Sequence, residues 1–215
     1  THAKAMRGVG YLLRNRIAFH AIAVVTASSL GYPEEIFEFF LEEGFAEVGF
    51  NIDEREGERR ESTIGAQQEP AFYRFLERLQ QLSAANGHRL QIRELDEARK
   101  VLLRGLGAVQ IGGVRYPHNA QVLPLEILSV DHCGNFSTFS PELLGQSREQ
   151  YNDFVFGNVL EDRVSAIFSN PHFTAMYRQV MDGVDQCRSQ CEYFELCGGG
   201  APANKLYENG TFSST

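Results

Sequence analysis

Three cysteines in eleven residues, Cys187, Cys191 and Cys197, are spaced C-x3-C-x5-C and run straight into Gly198-Gly199-Gly200. Short cysteine gaps let neighbouring turns aim several sulfurs at one centre, and glycines let backbone N–H groups approach those sulfurs. An iron-sulfur cluster and a tetrahedral zinc both suit such a set, with free thiols as the third reading. Ordinary zinc fingers favour paired C-x2-4-C groups, which this triplet does not form. The remaining cysteine, Cys133, stands apart in Asp131-His132-Cys133-Gly134. That segment reads as a hairpin turn, and its thiol is expected to be free rather than a ligand. Clustering of this kind is poor material for a disulfide framework and points to a metal site in a reducing cytoplasm.

The elements that must carry these residues follow from periodicity. Ala5, Met6, Val9, Leu12 and Leu13 recur at helical spacing and predict a helix over residues 3–16. Residues 18–26 are nearly continuous in apolar side chains, as in a parallel strand covered on both faces, with His20 as a core histidine. Pro33, Glu34, Glu35 and Gly44 bound a helix over 33–43 whose phenylalanines face a core. A second strand over 46–52 and a helix over 70–86 continue the alternation. Alternation of this kind implies a parallel sheet approached by ligands from the carboxyl ends of its strands. Thr26, Ser28 and Ser29 lie past the first strand end, and Asn51 and Asp53 close the second, so they are the candidate ligand contacts of this half. Glu54-Arg55-Glu56 with Glu58-Arg59-Arg60 reads as a solvated charged loop. Two strands do not complete such a sheet, so this half reads as part of a barrel or open sheet, within an excerpt of a longer chain.

Beyond Gly87 the pattern changes. A further helix is expected around Leu95, Ala98, Val101 and Leu102, and the glycines at 105, 107, 112 and 113 mark a linker. The expected organisation is therefore 1–95, a linker over 96–115, and a second domain over 116–215. In that domain, 125–130 and 135–139 predict a hairpin with its turn at Gly134. Helical spacing over 159–181 breaks at Pro171, and the chain past Gly183 is expected to need a staple. With 215 residues, 43% of them hydrophobic and 22% charged, the chain has material for one large core or two small ones. A net charge of -8 argues against nucleic acid or an anionic membrane as partner. The longest apolar run, 21–30, is interrupted by Thr26, Ser28 and Ser29 and falls short of the roughly 20 residues a membrane helix needs.

The stretch from Cys187 through Cys197-Gly198-Gly199-Gly200-Ala201-Pro202-Ala203-Asn204-Lys205 to Phe212 closely resembles the SPASM-type region of radical S-adenosylmethionine enzymes that modify ribosomally made peptides. Asp131 to Gly145, with its Ser140-Pro141-Glu142-Leu143-Leu144-Gly145 block, is similar to a second segment of these families, in particular the cyclophane-forming maturases. Thr1 to Gly8, Ile22 to Thr26 and Phe50 to Gly57 also look like theirs, so the resemblance covers nearly the whole chain. It implies an α/β fold: the C-terminal part of a partial (β/α)6 radical SAM barrel, followed by a small Cys-rich SPASM-type domain with a β-hairpin. It further implies S-adenosylmethionine bound at a [4Fe-4S] cluster on a C-x3-C-x2-C motif, which these 215 residues do not contain. Alone, this stretch is expected to be unable to cleave the cofactor.

By the same resemblance, Cys187, Cys191 and Cys197 match three ligands of an auxiliary [4Fe-4S] cluster, although the first gap is one residue wider than the family's and Ala201 stands where another cysteine would fall. Thr26, Ser28 and Asn51 become the cofactor contacts. The implied activity is removal of a hydrogen from a side-chain carbon of a precursor peptide by a 5′-deoxyadenosyl radical. A carbon-carbon bond then joins an aromatic ring to a nearby β-carbon, with flavodoxin or ferredoxin as electron donor. The competing expectation is a non-enzymatic, zinc-stapled peptide-binding module.

Overall fold

Strands Ala21–Val25 (β1) and Glu47–Ile52 (β2) pair in parallel, Ala21 lying opposite Val48 and Val25 opposite Ile52. They come from a computed structural model that describes residues 2–54 and 61–215. A two-residue strand, Gln91–Ile92 (β3), adds to the far side of β2, giving the order β1-β2-β3. Helices His2–Arg14 (α1), Pro33–Glu42 (α2), Glu69–Ala85 (α3) and Arg93–Arg104 (α4) complete this unit. Pro33 opens α2, where its missing N–H is no loss, and Glu34 and Glu35 meet the positive end of the helix dipole. Val25, Phe37, Val48, Phe50, Phe75 and Leu79 form the core between sheet and helices. Phe50 meets Phe75 edge to face at 5.8 Å, a geometry worth about 0.5–1.5 kcal/mol beyond area burial.

Facing residues of a parallel pair point to the same side, and alternate ones to opposite sides. Ala23 and Phe50 therefore turn to the helices, while Ile22, Val24, Gly49 and Asn51 share the other face. Ile22 and Val24 are 55% and 58% exposed, so β1 is buried on one face rather than on both, as its unbroken apolar run predicts. His20 lies before the strand and is exposed, which corrects its expectation as a core residue. The charged run over 55–60 falls outside the described residues.

The two compact units of the chain part between residues 103 and 104. Residues 96–115 are not a linker: they hold most of α4 and then the hairpin Ala108–Ile111 (β4) and Val114–Pro117 (β5). Gly112 and Gly113 have φ of +58° and +81°, the left-handed pair that a two-residue hairpin turn demands. Leu128–Val130 (β6), Asn135–Thr138 (β7) and Gly157–Asn158 (β8) form an antiparallel sheet in that order.

Residues 159–170 are not the start of a helix; they contain a 3-10 turn over Val164–Ser169. The long helix begins instead at its proline, as Pro171–Gln190 (α5), because the Asn170 side chain accepts from the N–H groups of His172 and Phe173 and caps it. Phe194–Cys197 (α6) and Pro202–Asn209 (α7) follow. Phe136, Phe139, Phe154, Phe173, Met176, Val180, Leu206 and Phe212 build the second core, within which Phe139, Phe173 and Tyr177 stack with nearly parallel rings.

Candidate functional site

The three spaced cysteines are placed by the end of α5 and by α6. Cys187 is in the last turn of α5, and Cys191 caps that helix with its N–H on the Cys187 carbonyl at 2.8 Å. Helical spacing of four residues puts the two on one side of the helix. Cys197 ends α6, which Gly198 terminates with φ +71° and an N–H donated to Phe194 O at 2.8 Å. The glycines that follow are required by close approach. A Cβ on Gly199 would meet Val184 Cγ2 at 2.9 Å, and one on Gly198 would meet Asn119 Cβ at 2.9 Å. Asn119 Nδ2 in turn donates to the carbonyls of Cys197, at 3.2 Å, and Gly200, at 2.9 Å, and clamps the loop from outside.

None of the three thiols is in a disulfide; Cys187 is buried, whereas Cys191 and Cys197 are exposed. Cys187 Sγ accepts a hydrogen bond from Lys205 Nζ at 3.1 Å. Around a single tetrahedral zinc, bonds of about 2.3 Å hold thiolate sulfurs about 3.8 Å apart. The three sulfurs are not grouped that tightly, since among the described residues only Asp131, His132 and Cys133 bring three potential ligand atoms within 4.8 Å of one another. As a donor set, three cysteine sulfurs on a glycine-bounded loop suit a soft thiolate-bound centre, an iron-sulfur cluster or a zinc ion. Of the aromatic and apolar residues between the cysteines only Phe194 packs inward; Tyr193 and Leu196 are exposed.

The Asp131 turn is held by its own carboxylate. Oδ1 accepts from the N–H groups of Cys133, at 2.8 Å, and Asn135, at 2.9 Å, while Oδ2 accepts from Asn135 Nδ2 at 2.9 Å. The Asn135 side-chain bond, ahead of the backbone ones, holds this carboxyl below its ordinary value. His132 Nε2 and Cys133 Sγ lie 3.5 Å apart, and both residues are exposed.

At the carboxyl ends of β1 and β2, two of the predicted contacts meet and a third lies across from them. Thr26 Oγ1 and Ser28 Oγ are 2.9 Å apart, and Ser29 Oγ accepts from Thr26 N–H at 2.9 Å. Asn51 is exposed on the face it shares with Val24, where its Oδ1 accepts from Arg93 Nη2 at 2.6 Å. Gly49 makes room for that arginine, because a Cβ there would strike the guanidinium carbon at 2.4 Å. Asp53 is buried at 2% exposure. Its Oδ2 accepts from the Thr63 hydroxyl at 2.7 Å and from Thr63 N–H at 3.0 Å, and Thr63 Oγ1 accepts from Ala27 N–H at 3.1 Å. A buried carboxylate thus ties together the two strand ends where ligands of parallel sheets bind. Arg93, Thr63 and Asn119 were not legible as site residues. Arg93 sits in a charged helix start and Thr63 in a loop, and no spacing rule brings either to a strand 10 or more residues away.

No family model matches the chain. A relative, the uncharacterized protein sll1766 of Synechocystis sp. (strain ATCC 27184 / PCC 6803 / Kazusa), is 43% identical over 216 residues, covering 100% of this chain and 52% of that protein. Among solved structures, anSMEcpe with bound AdoMet superposes with a TM-score of 0.62 at 17% identity, over 94% of this chain and 50% of that one. The same protein with bound AdoMet and Kp18Cys peptide gives 0.61 at 17% identity, over 94% and 53%. The chain therefore spans about half the length of the proteins it matches, and across that half it has the mixed α/β fold of the corresponding part of anSMEcpe.

Proposed function

We propose that the chain is part of a radical S-adenosylmethionine enzyme that modifies a peptide. In this reading the first unit contributes the carboxyl-side strands of the cofactor barrel, and the second holds an auxiliary iron-sulfur cluster on Cys187, Cys191 and Cys197. The observation that carries it is the cysteine loop itself: Cys187, Cys191 and Cys197 are presented by the end of α5 and by α6, on a loop bounded by Gly198 and Gly199, neither of which can gain a Cβ without a clash. Support comes from the fold shared with a protein solved with AdoMet and a peptide, and from the motif resemblance along the chain. S-adenosylmethionine bound in the complete barrel supplies the radical chemistry.

The chain's own residues then have separable tasks. Thr26, Ser28 and Asn51 offer hydroxyl and amide groups at the strand ends, where they bind and orient the polar parts of the cofactor, with Asp53 and Thr63 fixing the loops that carry them. Cys187, Cys191 and Cys197 would hold the auxiliary cluster, which would supply an electron acceptor or a point for positioning substrate, in a reducing cytoplasm and with a flavodoxin or ferredoxin as donor. The finer reading is carbon-carbon crosslinking of an aromatic side chain to a neighbouring β-carbon in a ribosomally made precursor.

The experiment is anaerobic purification of the full protein followed by metal and sulfide analysis and assay with its precursor. Brown protein with iron and acid-labile sulfide is expected, and Cys191→Ala is expected to lower crosslinked product by mass spectrometry. A colourless protein with one zinc overturns the cluster assignment, and undiminished product in the variant overturns a role for this cluster in the reaction.

A further inference from the structure

Lys205 is 8% exposed, and its ammonium faces three acceptors inside the second unit. Nζ donates to Gly183 O at 3.0 Å, to Ser214 O at 2.5 Å and to Cys187 Sγ at 3.1 Å. The geometry is prepared for it. Gly183 lies one helical turn before Cys187, and a Cβ there would sit 2.2 Å from Phe212 O, 3.1 Å from Ser214 O and 3.2 Å from Lys205 Nζ. The missing side chain is what admits the ammonium and the 212–214 segment to the end of α5.

The three acceptors are not equivalent. Burying an ammonium is unfavourable unless its donors are satisfied and its charge is balanced. The two carbonyls satisfy donors only. Among the described residues no carboxylate lies within ion-pairing distance of Lys205, so the group beside it able to carry negative charge is the Cys187 sulfur. A thiolate bound to iron in an anionic cluster supplies that charge, and hydrogen bonds to ligand sulfurs are a principal control on cluster potential.

We infer that Lys205 is the positioning residue of the metal centre: its ammonium fixes the Cys187 sulfur for ligation and, by donating to it, raises the midpoint potential of the cluster held there. This rests on the iron-sulfur reading above. Charge added on reduction is stabilised by a nearby fixed cation, so the reduced form gains more from Lys205 than the oxidised form does.

The test compares the anaerobically purified wild-type protein with Lys205→Met, which keeps an unbranched side chain one atom shorter and removes the charge and the donor. The signal of this cluster is identified as the one lost in Cys191→Ala. Lys205→Met is expected to show a more negative midpoint potential by EPR-monitored titration and altered Fe–S stretching frequencies by resonance Raman. Unchanged potential and frequencies in an iron-loaded variant overturn the inference and leave the cluster reading standing. A wild-type protein without iron or sulfide overturns the cluster reading itself and the inference with it. Should Lys205→Met fail to accumulate as folded protein, Lys205→Gln, which keeps an N–H donor without the charge, carries the same comparison with a smaller negative shift expected, and no shift in it is equally decisive against the inference.

Discussion

Gly183 shows how a single missing side chain organises the Cys187 end of α5, since Phe212 O passes where its Cβ would be. Gly183→Ala is expected to destabilise the protein by about 1–3 kcal/mol, the range for overpacking a filled interior, read as a lower denaturation midpoint. Thr63 belongs to the same scale at the other candidate site. Thr63→Val removes the hydroxyl donor to the buried Asp53 carboxylate, and a loss of about 1–3 kcal/mol is expected by chemical denaturation. Asp131 makes a prediction in pH. Its carboxyl is held low in the folded protein, chiefly by Asn135, so its contribution to stability is present above the ordinary carboxylate range and is lost as pH falls through the depressed folded value. Asn135→Ala should move the Asp131 titration upward by NMR, and an unmoved titration would count against that cause. The cysteines were legible at this scale because their spacing is itself the signal. Lys205 was not: no spacing rule links it to the cysteines, and only the folding of α7 onto α5 brings it to Cys187.

Elements were legible where start and stop residues agree with periodicity. α2 lies almost where Pro33, Glu34, Glu35 and Gly44 place it. The misreadings have the same physical origin, treating punctuation as breakage. Gly112-Gly113 is a hairpin turn, Pro171 is the first residue of α5 rather than a break in it, and Gly183 lies inside that helix because a neighbouring strand of chain needs the space. The strand β3 is two residues long and leaves no periodic trace. Because α5 carries Cys187 and ends at Cys191, its N-cap matters to the site. Asn170→Ala is expected to lower stability by about 1 kcal/mol, within a range of about 0.5–2, as a fall in denaturation midpoint without a change in the identity of any bound metal.

At the scale of the whole molecule, sequence and structure describe an α/β unit with polar side chains at its strand ends and a second unit that carries the cysteine loop on its own hydrophobic core, while the matched relatives are about twice as long. Among the described residues no helix is long and apolar enough to cross a membrane. The alternation of helix and strand was readable because each parallel strand must be followed by a crossover, whereas the exposed face of β1 was not, since an apolar run has the same composition whether one face or both are covered. The measurement that bears most directly on the account is the iron and acid-labile sulfide content of the anaerobically purified full protein, compared with a variant in which Cys187, Cys191 and Cys197 are all replaced by alanine. The account predicts that the variant loses one cluster's worth of iron and sulfide in matching amounts while remaining folded. Equal iron and sulfide in the two proteins, or zinc without sulfide in the wild type, would contradict it.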